Sequence, residues 1–346
     1  MEKLWQPGRI GPMELKNRTV RSATNEHLST HDGRLTQRWA ETEIELAKHE
    51  VGLIISGHFT VDGTQRADEG HLVMDERAQP EILRYAADGV HQYGGRLVLQ
   101  MSHPGAKAMA AVNGRPVRTT DGFTAEEMDC LVEQFAYATK KAKDCGIDGV
   151  QLHLAHGYLL SAFLNPETNH RQDEYGGSLE NRFRLSERII RTVRAACGQD
   201  FAILVKVDRD ACGDLAGLLR LCQQAGVDGA EISGLDFATR SRGEGPFYLK
   251  VLMQARQGID LPVALVGGVY SIEGARQVMD AGVEFVSFAR ALICQPDLIN
   301  KLRNGEVEQG NCIGCSACFK VYRQNYCRCV LHDKPIDQIK QTFGAD

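Results

Sequence analysis

The chain has 346 residues, of which 43% are hydrophobic and 25% are charged, and it carries a formal net charge of −5. This composition is ordinary for a globular protein, and the negative charge argues against a nucleic-acid-binding surface. The sequence contains no apolar run of the roughly 18 residues that a membrane span needs, and its N-terminus lacks a signal-peptide core. We therefore expect a cytoplasmic protein with neither nucleic acid nor a membrane as its partner.

One pattern recurs along the chain: a polar amphipathic stretch ends at a glycine-containing loop, and a short apolar run follows, as in CQQAGVDGAEIS and VMDAGVEFVSFA. Glycine suits the left-handed position just after a helix end, and apolar runs flanked by turns suit a parallel sheet covered by helices. Predicted helices include Ala125–Asp144 and Leu179–Cys197. The predicted strands are Thr19–Ser22, Gly52–Ser56, Arg96–Gln100, Gly149–His153, Ile203–Val207, Gly229–Ser233, Val263–Val266 and Phe285–Phe288.

Strands that alternate with helices favour βα units. Eight such units fit one decorated (β/α)8 barrel, a fold that uses roughly 250 residues or more. We therefore predict an α/β protein of this fold, with the barrel over residues 1–305. A short cysteine-rich tail, residues 306–346, is predicted to pack on the barrel.

The segment after the fourth predicted strand reads GVQLHLAHGYLLSAFLNPETNHRQDEYGGSLENRFR. His153 ends that strand, and His156 and Tyr158 lie on the following loop, at the end where barrel enzymes build their active sites. Imidazoles can donate hydrogen bonds to a substrate oxygen, and a tyrosine hydroxyl can transfer a proton. These three residues therefore suit a reaction that polarises a carbonyl group and then protonates carbon.

Two other interpretations of this segment stay open. Both histidines can be satisfied core residues, with Tyr158 serving only to fill space. The His-x-x-His spacing of His153 and His156 also occurs in zinc sites.

The same segment resembles the signature of the old yellow enzyme family of FMN-dependent ene-reductases, from HLAHGYLLSAFLNP through NHRQDEYGGSLENRFR. Further resemblance extends from about Leu4 to about Leu302. LKNRTVRSATNE and LVLQMSHPGAKA are similar to the first and third strands of that family, and LVGGV and FARALICQPDL to its seventh and eighth. The resemblance implies a flavoprotein barrel with FMN at the carboxyl-terminal mouth.

The resemblance also implies residues for the flavin ring. Lys206 stands where a basic residue stabilises the negative charge of the reduced flavin, and a fixed cation lowers the cost of that charge. Asn25 departs from the Thr or Cys that members often carry. The other implied ring contacts are Ala23, Thr24, Asn25, Gly57 and Gln100.

The phosphate of FMN is expected at the loops after the seventh and eighth strands, a common phosphate site of barrels. Gly267 and Gly268 offer backbone N–H groups without side-chain obstruction. Ala289 supplies another amide, and Arg290 supplies a guanidinium group suited to phosphate. The Phe-Ala-Arg sequence replaces the more usual Gly-Arg before the phosphate.

By the same resemblance, His153 and His156 bind the substrate carbonyl oxygen and Tyr158 is the proton donor. The implied reaction takes hydride from NAD(P)H to FMN N5, and then from FMN to the β-carbon of an activated alkene, while Tyr158 protonates the α-carbon. The histidines stabilise the enolate-like charge on oxygen.

Five cysteines crowd into GNCIGCSACFKVYRQNYCRCVLH near the end of the chain. Cys312, Cys315 and Cys318 follow at two-residue gaps, and Cys329 comes after ten further residues, with Cys327 as a rival for the fourth position. A C-x2-C-x2-C run with a distant fourth cysteine is typical of a [4Fe–4S] site. Four-cysteine zinc and a set of free thiols are alternatives.

This tail resembles the cluster-binding region of 2,4-dienoyl-CoA reductase and trimethylamine dehydrogenase. Those relatives carry additional FAD- and nucleotide-binding domains, and this sequence contains no G-x-G-x-x-G motif. If a cluster is bound, an external electron-transfer protein is therefore one candidate partner. Three functional hypotheses follow: an FMN ene-reductase, a partner-fed FMN/iron–sulfur subunit, and a flavin-free aldolase that uses Lys206 as a Schiff base. A non-catalytic binding subunit is a fourth hypothesis, and the sequence leaves the formation of a homo-oligomer open.

Overall fold

The computed structural model describes residues 2–210, 212–321 and 326–330. Within these residues, eight parallel strands close into a barrel, because β1 pairs with both β2 and β8. The barrel strands are β1 (Thr19–Arg21), β2 (Leu53–Thr60), β3 (Arg96–Ser102), β4 (Gly149–Leu154), β5 (Ala202–Asp208), β6 (Gly229–Ser233), β7 (Val263–Val266) and β8 (Phe285–Phe288). The predicted (β/α)8 barrel is confirmed.

Helices surround the barrel. They are α1 (Gln37–Lys48), α2 (Pro80–Gln92), α3 (Ala125–Asp144), α4 (Leu179–Cys197), α5 (Leu215–Ala225), α6 (Leu249–Ala255), α7 (Ile272–Asp280), α8 (Arg290–Cys294) and α9 (Leu298–Arg303). Shorter helical segments are Glu2–Trp5, Ala110–Asn113, Leu159–Leu164 and Cys318–Val321. None of the helices in the described ranges is long and apolar enough to cross a membrane.

The helix boundaries follow local capping chemistry. The Thr124 side chain accepts a hydrogen bond from the backbone N–H of Glu127, and the Glu127 carboxylate accepts one from the Thr124 backbone N–H. This reciprocal pair satisfies two of the unpaired N–H groups at the start of α3. Ser178 and Ser271 each cap one helix, α4 and α7, with a single side-chain hydrogen bond. The cap at Ser178 explains why α4 begins at Leu179, as the sequence predicts.

The amino-terminal end of the barrel is closed by a hairpin. Its strands, Gly8–Ile10 and Met13–Leu15, pair antiparallel, and Ile10, Met13 and Leu15 join the apolar cluster inside the barrel. The larger apolar cluster lies between the sheet and the surrounding helices. Among the described residues, side chains fill the amino-terminal end of the barrel, and a cavity opens at the carboxyl ends of its strands.

The second strand is longer than the sequence predicts. The predicted strand ends at Ser56, but β2 continues to Thr60. Ile55 pairs with Val98 and His58 with Gln100, so β2 has one more residue than β3 over this interval. Such a bulge reverses the alternation of side chains beyond it.

The cysteine-rich segment contacts the barrel at several described points. Gly310 N–H donates to the Tyr270 carbonyl at 2.7 Å, and Cys327 N–H donates to the Glu26 carbonyl at 2.8 Å. A two-strand bridge also joins Ser271 to Gln309. The division at residue 305 stays a prediction, and the part of the predicted tail from residue 331 onward lies outside the described residues.

Candidate functional site

A cavity opens at the carboxyl ends of the barrel strands, the face where barrel enzymes place their chemistry. Its lining contains every residue that the sequence predicts for catalysis or FMN binding except Gly57. These lining residues are Ala23, Thr24, Asn25, Gln100, His153, His156, Tyr158, Lys206, Gly267, Gly268, Ala289 and Arg290.

Gly57 lies outside this lining, in the irregular part of β2. A Cβ atom at this position would meet the Thr24 carbonyl oxygen at 2.6 Å. Glycine is therefore required for β2 to approach the segment that follows β1. Direct contact between Gly57 and the flavin ring stays a prediction.

Sequence reasoning missed several residues of the same cavity. They include Ser22, His58, Asp68, Ser233, Phe237, Tyr248, Tyr270, Ser287 and Phe319. Ser22 and Ser233 end predicted strands, a position that could have identified them. Phe319 carries no such signal, because its place depends on how the cysteine-rich segment folds back onto the barrel.

The loop after β4 has an unusual backbone at His156, whose φ is +62°. This conformation is uncommon outside glycine, and it is held by contacts: the His156 N–H donates to Asp208 Oδ2 at 2.5 Å, and its Nε2 lies 2.9 Å from Ser233 Oγ. His153 is the penultimate residue of β4 and is buried, and its Nδ1 has no hydrogen-bond partner among the described residues. The two imidazole rings lie 5.1 Å apart.

Both imidazoles are neutral at neutral pH. Burial and the neighbouring His156 lower the pKa of His153 well below its ordinary value. Burial and the charge of Lys206 lower the pKa of His156. Burial raises the pKa of Asp208 to about 6. His153 and His156 therefore offer hydrogen bonds to a substrate oxygen, and they add no positive charge to that of Lys206.

Tyr158 lies beside these rings, with its ring centroid 4.8 Å from that of His153. Its hydroxyl is 3.3 Å from Nε2 of His58, a residue of the β2 bulge. The ammonium group of Lys107 lies 5.8 Å from the centroid of the tyrosine ring. A phenol in this setting can supply a proton to a ligand held by the two histidines.

A buried polar network lies below the cavity. Lys206 Nζ donates to Ser22 Oγ at 2.7 Å and pairs with Glu231 Oε2 at 3.1 Å. Gln151 Nε2 lies 3.3 Å from the same carboxylate oxygen, and Gln100 Nε2 donates to Gln151 Oε1 at 2.7 Å. The sequence analysis missed Glu231 and Gln151, although their polar side chains within apolar strands were a readable signal.

The loops after β7 and β8 also line the cavity. Gly267 and Gly268 have φ angles of +116° and +78°, conformations that glycine adopts without strain. Arg290 Nη1 donates to the Gly314 carbonyl and to Ser316 Oγ, each at 2.8 Å. The guanidinium predicted to bind phosphate therefore also holds the cysteine-rich segment against the barrel.

These residues fit FMN. Ser287 Oγ and His153 Nδ1 are buried polar atoms without partners in the described part of the chain, and both residues line the cavity. Buried polar atoms are normally hydrogen-bonded, so a ligand in the cavity would supply the partners of these two. A positive-φ glycine pair and an arginine at one end suit a phosphate, and a lysine with amide groups at the other suits a polar ring edge.

A second, small cavity lies beside the first. Its lining includes the four predicted metal ligands, Cys312, Cys315, Cys318 and Cys329, together with Cys294 from α8. Cys327 is buried but does not line this cavity. Over residues 2–210, 212–321 and 326–330, no three His, Cys, Asp or Glu side chains are grouped closely enough to hold a metal ion.

Comparison with known proteins gives a consistent result. Residues 3–309 match the model of the NADH:flavin oxidoreductase / NADH oxidase family. The chain is 30% identical over 390 residues to 4,4'-dithiodibutanoate disulfide reductase of Rhodococcus erythropolis, covering 95% of each protein. It is 28% identical over 361 residues to an NADH oxidase of Thermoanaerobacter brockii, covering 95% of this chain but 56% of that relative.

The fold is also similar to a solved structure, the old yellow enzyme homologue from Zymomonas mobilis. The TM-score is 0.79 at 23% sequence identity, over 90% of this chain and 96% of that one. The similarity therefore extends over almost the whole of both chains.

Proposed function

Because the chain belongs to the NADH:flavin oxidoreductase / NADH oxidase family, that of the old yellow enzymes, we propose that this FMN-dependent NAD(P)H oxidoreductase reduces an activated C=C bond. The proposed substrate is an α,β-unsaturated carbonyl compound or thioester. The observation that supports this proposal is the single cavity in which His153, His156 and Tyr158 face the residues that suit FMN.

Bound FMN supplies hydride transfer, with NAD(P)H as the reductant. The chain's own residues bind and orient the substrate. The neutral imidazoles of His153 and His156 donate hydrogen bonds to its carbonyl oxygen and stabilise the negative charge that develops there. Tyr158 holds the proton that the α-carbon receives.

Lys206 and Arg290 are assigned to the cofactor. Lys206 is proposed to lie at the polar edge of the flavin ring, and Arg290 with the Gly267–Gly268 amides at the phosphate. Gln100 and the residues from Ala23 to Asn25 complete the ring site. A Schiff-base role for Lys206 has less support, because its ammonium already pairs with Glu231 and Ser22.

The two half-reactions test this proposal. Anaerobic protein is reduced with NADH or NADPH while flavin absorbance is followed, and the reduced protein is then mixed with 2-cyclohexen-1-one. Reoxidation of the flavin with formation of the saturated ketone is the expected result. Protein that releases no flavin on denaturation, or a reduced flavin that the enone leaves unchanged, would contradict it.

A disulfide substrate is the competing outcome, because the Rhodococcus relative is named a disulfide reductase. The same reduced protein is therefore mixed with 4,4'-dithiodibutanoate. Cleavage of an S–S bond requires no protonation of carbon, so the rate with this substrate should not depend on Tyr158 in the manner expected for the enone. Faster turnover of the disulfide would overturn the assignment to alkenes.

A second proposal is a [4Fe–4S] cluster that receives electrons from a partner protein. It is supported by the position of the second cavity, which shares a wall with the first. Phe319, directly after Cys318, lines the proposed flavin cavity, and Arg290 lines both cavities. Cys312, Cys315, Cys318 and Cys329 would hold the cluster. An assay of iron and acid-labile sulfide on anaerobically purified protein tests this, and zinc in their place would favour the alternative.

A further inference from the structure

His58 owes its position to the bulge in β2. Before the bulge, Leu53 and Ile55 face the barrel interior while Ile54 belongs to the outer apolar cluster. After one extra residue, Phe59 takes the outer position and His58 lines the cavity. A regular strand would have put His58 on the opposite face, so the bulge brings an imidazole to Tyr158.

A chain of hydrogen bonds extends from His58 to the backbone. His58 Nδ1 lies 3.1 Å from Ser102 Oγ, and His71 Nε2 lies 3.4 Å from the same oxygen. The chain ends where the Ala67 N–H donates to His71 Nδ1 at 3.0 Å. All three side chains are buried.

The backbone end fixes the tautomer of His71, and the Ser102 hydroxyl passes that direction on to His58. A backbone N–H can only donate, so His71 Nδ1 carries a lone pair and the neutral ring has its proton on Nε2. Ser102 accepts from His71 and has one proton, which it donates to the Phe59 carbonyl at 3.1 Å. With the Ser102 proton on the Phe59 carbonyl, His58 Nδ1 donates to Ser102. The lone pair of His58 is then on Nε2, towards Tyr158.

We propose that His58 is a positioning residue for Tyr158: its Nε2 lone pair accepts the phenolic O–H, and the Ala67–His71–Ser102 chain enforces that tautomer. This inference rests on the proposed role of Tyr158 as proton donor. A hydrogen bond from the neutral phenol disfavours ionisation. His58 therefore favours the protonated form of Tyr158 until the phenolic proton is transferred to the substrate carbanion.

The charges around His58 support a neutral ring. Burial lowers the pKa of His58 to about 4, although the Asp68 carboxylate acts in the opposite direction. Burial lowers the pKa of His71 well below its ordinary value. The titratable groups that face His58 are His27, Asp68, His71, His153, His156 and Tyr158.

The tautomer can be measured directly on the FMN-bound protein with 15N-labelled histidine. We expect His58 to carry its proton on Nδ1 at neutral pH, and His71 on Nε2. Ser102→Ala removes the acceptor and should move the His58 proton to Nε2. Ser186→Ala, which removes a buried hydroxyl on α4, should leave it in place. A proton on Nε2 of His58 in the unmodified protein overturns the proposal, whatever the variants do.

The consequence for Tyr158 has its own readout. With Nε2–H facing the phenol, His58 would donate to the phenolate, so Ser102→Ala should lower the pKa of Tyr158, followed with 13Cζ-labelled tyrosine. The enone step should slow about tenfold, the size of one lost hydrogen bond, while flavin reduction by NAD(P)H stays unchanged. An unchanged Tyr158 pKa contradicts the inference.

The magnetic-resonance measurements involve no turnover, so they separate the two proposals. If the enone is not reduced by the unmodified protein, the proposed function fails while the tautomer result stands. If the enone is reduced but His58 is protonated on Nε2, the positioning role fails alone.

Discussion

The ammonium nitrogen of Lys206 lies 3.1 Å from Oε2 of Glu231, and both side chains are almost completely buried. A buried charge without a partner is strongly unfavourable, so this pair explains how the barrel holds a lysine below the cavity. The pair also reduces the stabilisation that Lys206 is predicted to give to the negative charge of the reduced flavin. The carboxylate offsets part of the positive charge that the reduced flavin would experience.

Replacing the carboxylate should therefore raise the flavin potential. Glu231→Gln leaves the lysine uncompensated, and we expect the two-electron potential to rise by about 30 mV, the equivalent of ~1.4 kcal/mol. The flavin-free variant should lose about 3 kcal/mol of unfolding free energy, because one charge of a buried pair is removed.

Spectroelectrochemical titration of the holoprotein measures the potential, and urea unfolding of the apoprotein measures the stability. Glu43→Gln is a matched control, since Glu43 is fully buried on α1 away from the cavity lining and burial raises the pKa of its carboxyl well above the ordinary value. A potential that falls or stays constant in Glu231→Gln would show that Glu231 does not offset the lysine at the flavin.

Tyr158→Phe should separate the two half-reactions. The enone step is expected to slow by about 10²–10⁴-fold, the usual contribution of a positioned acid, while reduction of the flavin by NAD(P)H remains near the unmodified rate. Stopped-flow absorbance of each step gives both rates. Tyr137→Phe, at a half-exposed position on α3, should leave both steps unchanged. Equal losses in the two steps of Tyr158→Phe would rule out the proton-donor role.

Asp208 should impose a pH dependence on stability. Burial raises its folded pKa to about 6, above the value of about 3.9 for an unfolded aspartate. The folded state therefore binds more protons in this window. The stability that this group contributes is complete below about pH 4 and is lost as the pH rises to about 6, a change of about 2–3 kcal/mol.

The difference between Asp208→Asn and the unmodified protein isolates this group from the buried histidines. In urea unfolding, we expect the variant to gain about 2–3 kcal/mol relative to the unmodified protein between pH 4 and pH 8. Asp200→Asn should show a constant difference over this window, because a hydrogen bond from Lys143 lowers the pKa of that carboxyl and places its titration below about pH 4. A pH-independent difference for Asp208→Asn would mean that the folded-state pKa of Asp208 is not raised.

The sequence was sufficient for the architecture but not for the relations across the cavity. Each predicted strand appears in the barrel, because short apolar runs between glycine-containing turns form few structures other than buried strands. The bulge that brings His58 into the cavity could not be predicted, because a glycine such as Gly57 is as compatible with a turn as with a bulge. The Lys206–Glu231 pair was missed for another reason: register between β5 and β6 decides it, and neither strand encodes that pairing alone.

The second cavity favours Cys329 over Cys327 as the fourth ligand of the proposed cluster. Cys329 lines it with Cys312, Cys315 and Cys318, whereas Cys327 does not. Cys329→Ala should therefore lower the iron and acid-labile sulfide of anaerobically purified protein to a small fraction, and Cys327→Ala should retain both. Flavin content, measured on the same samples, controls for folding of the barrel. The reverse pattern would assign the fourth ligand to Cys327.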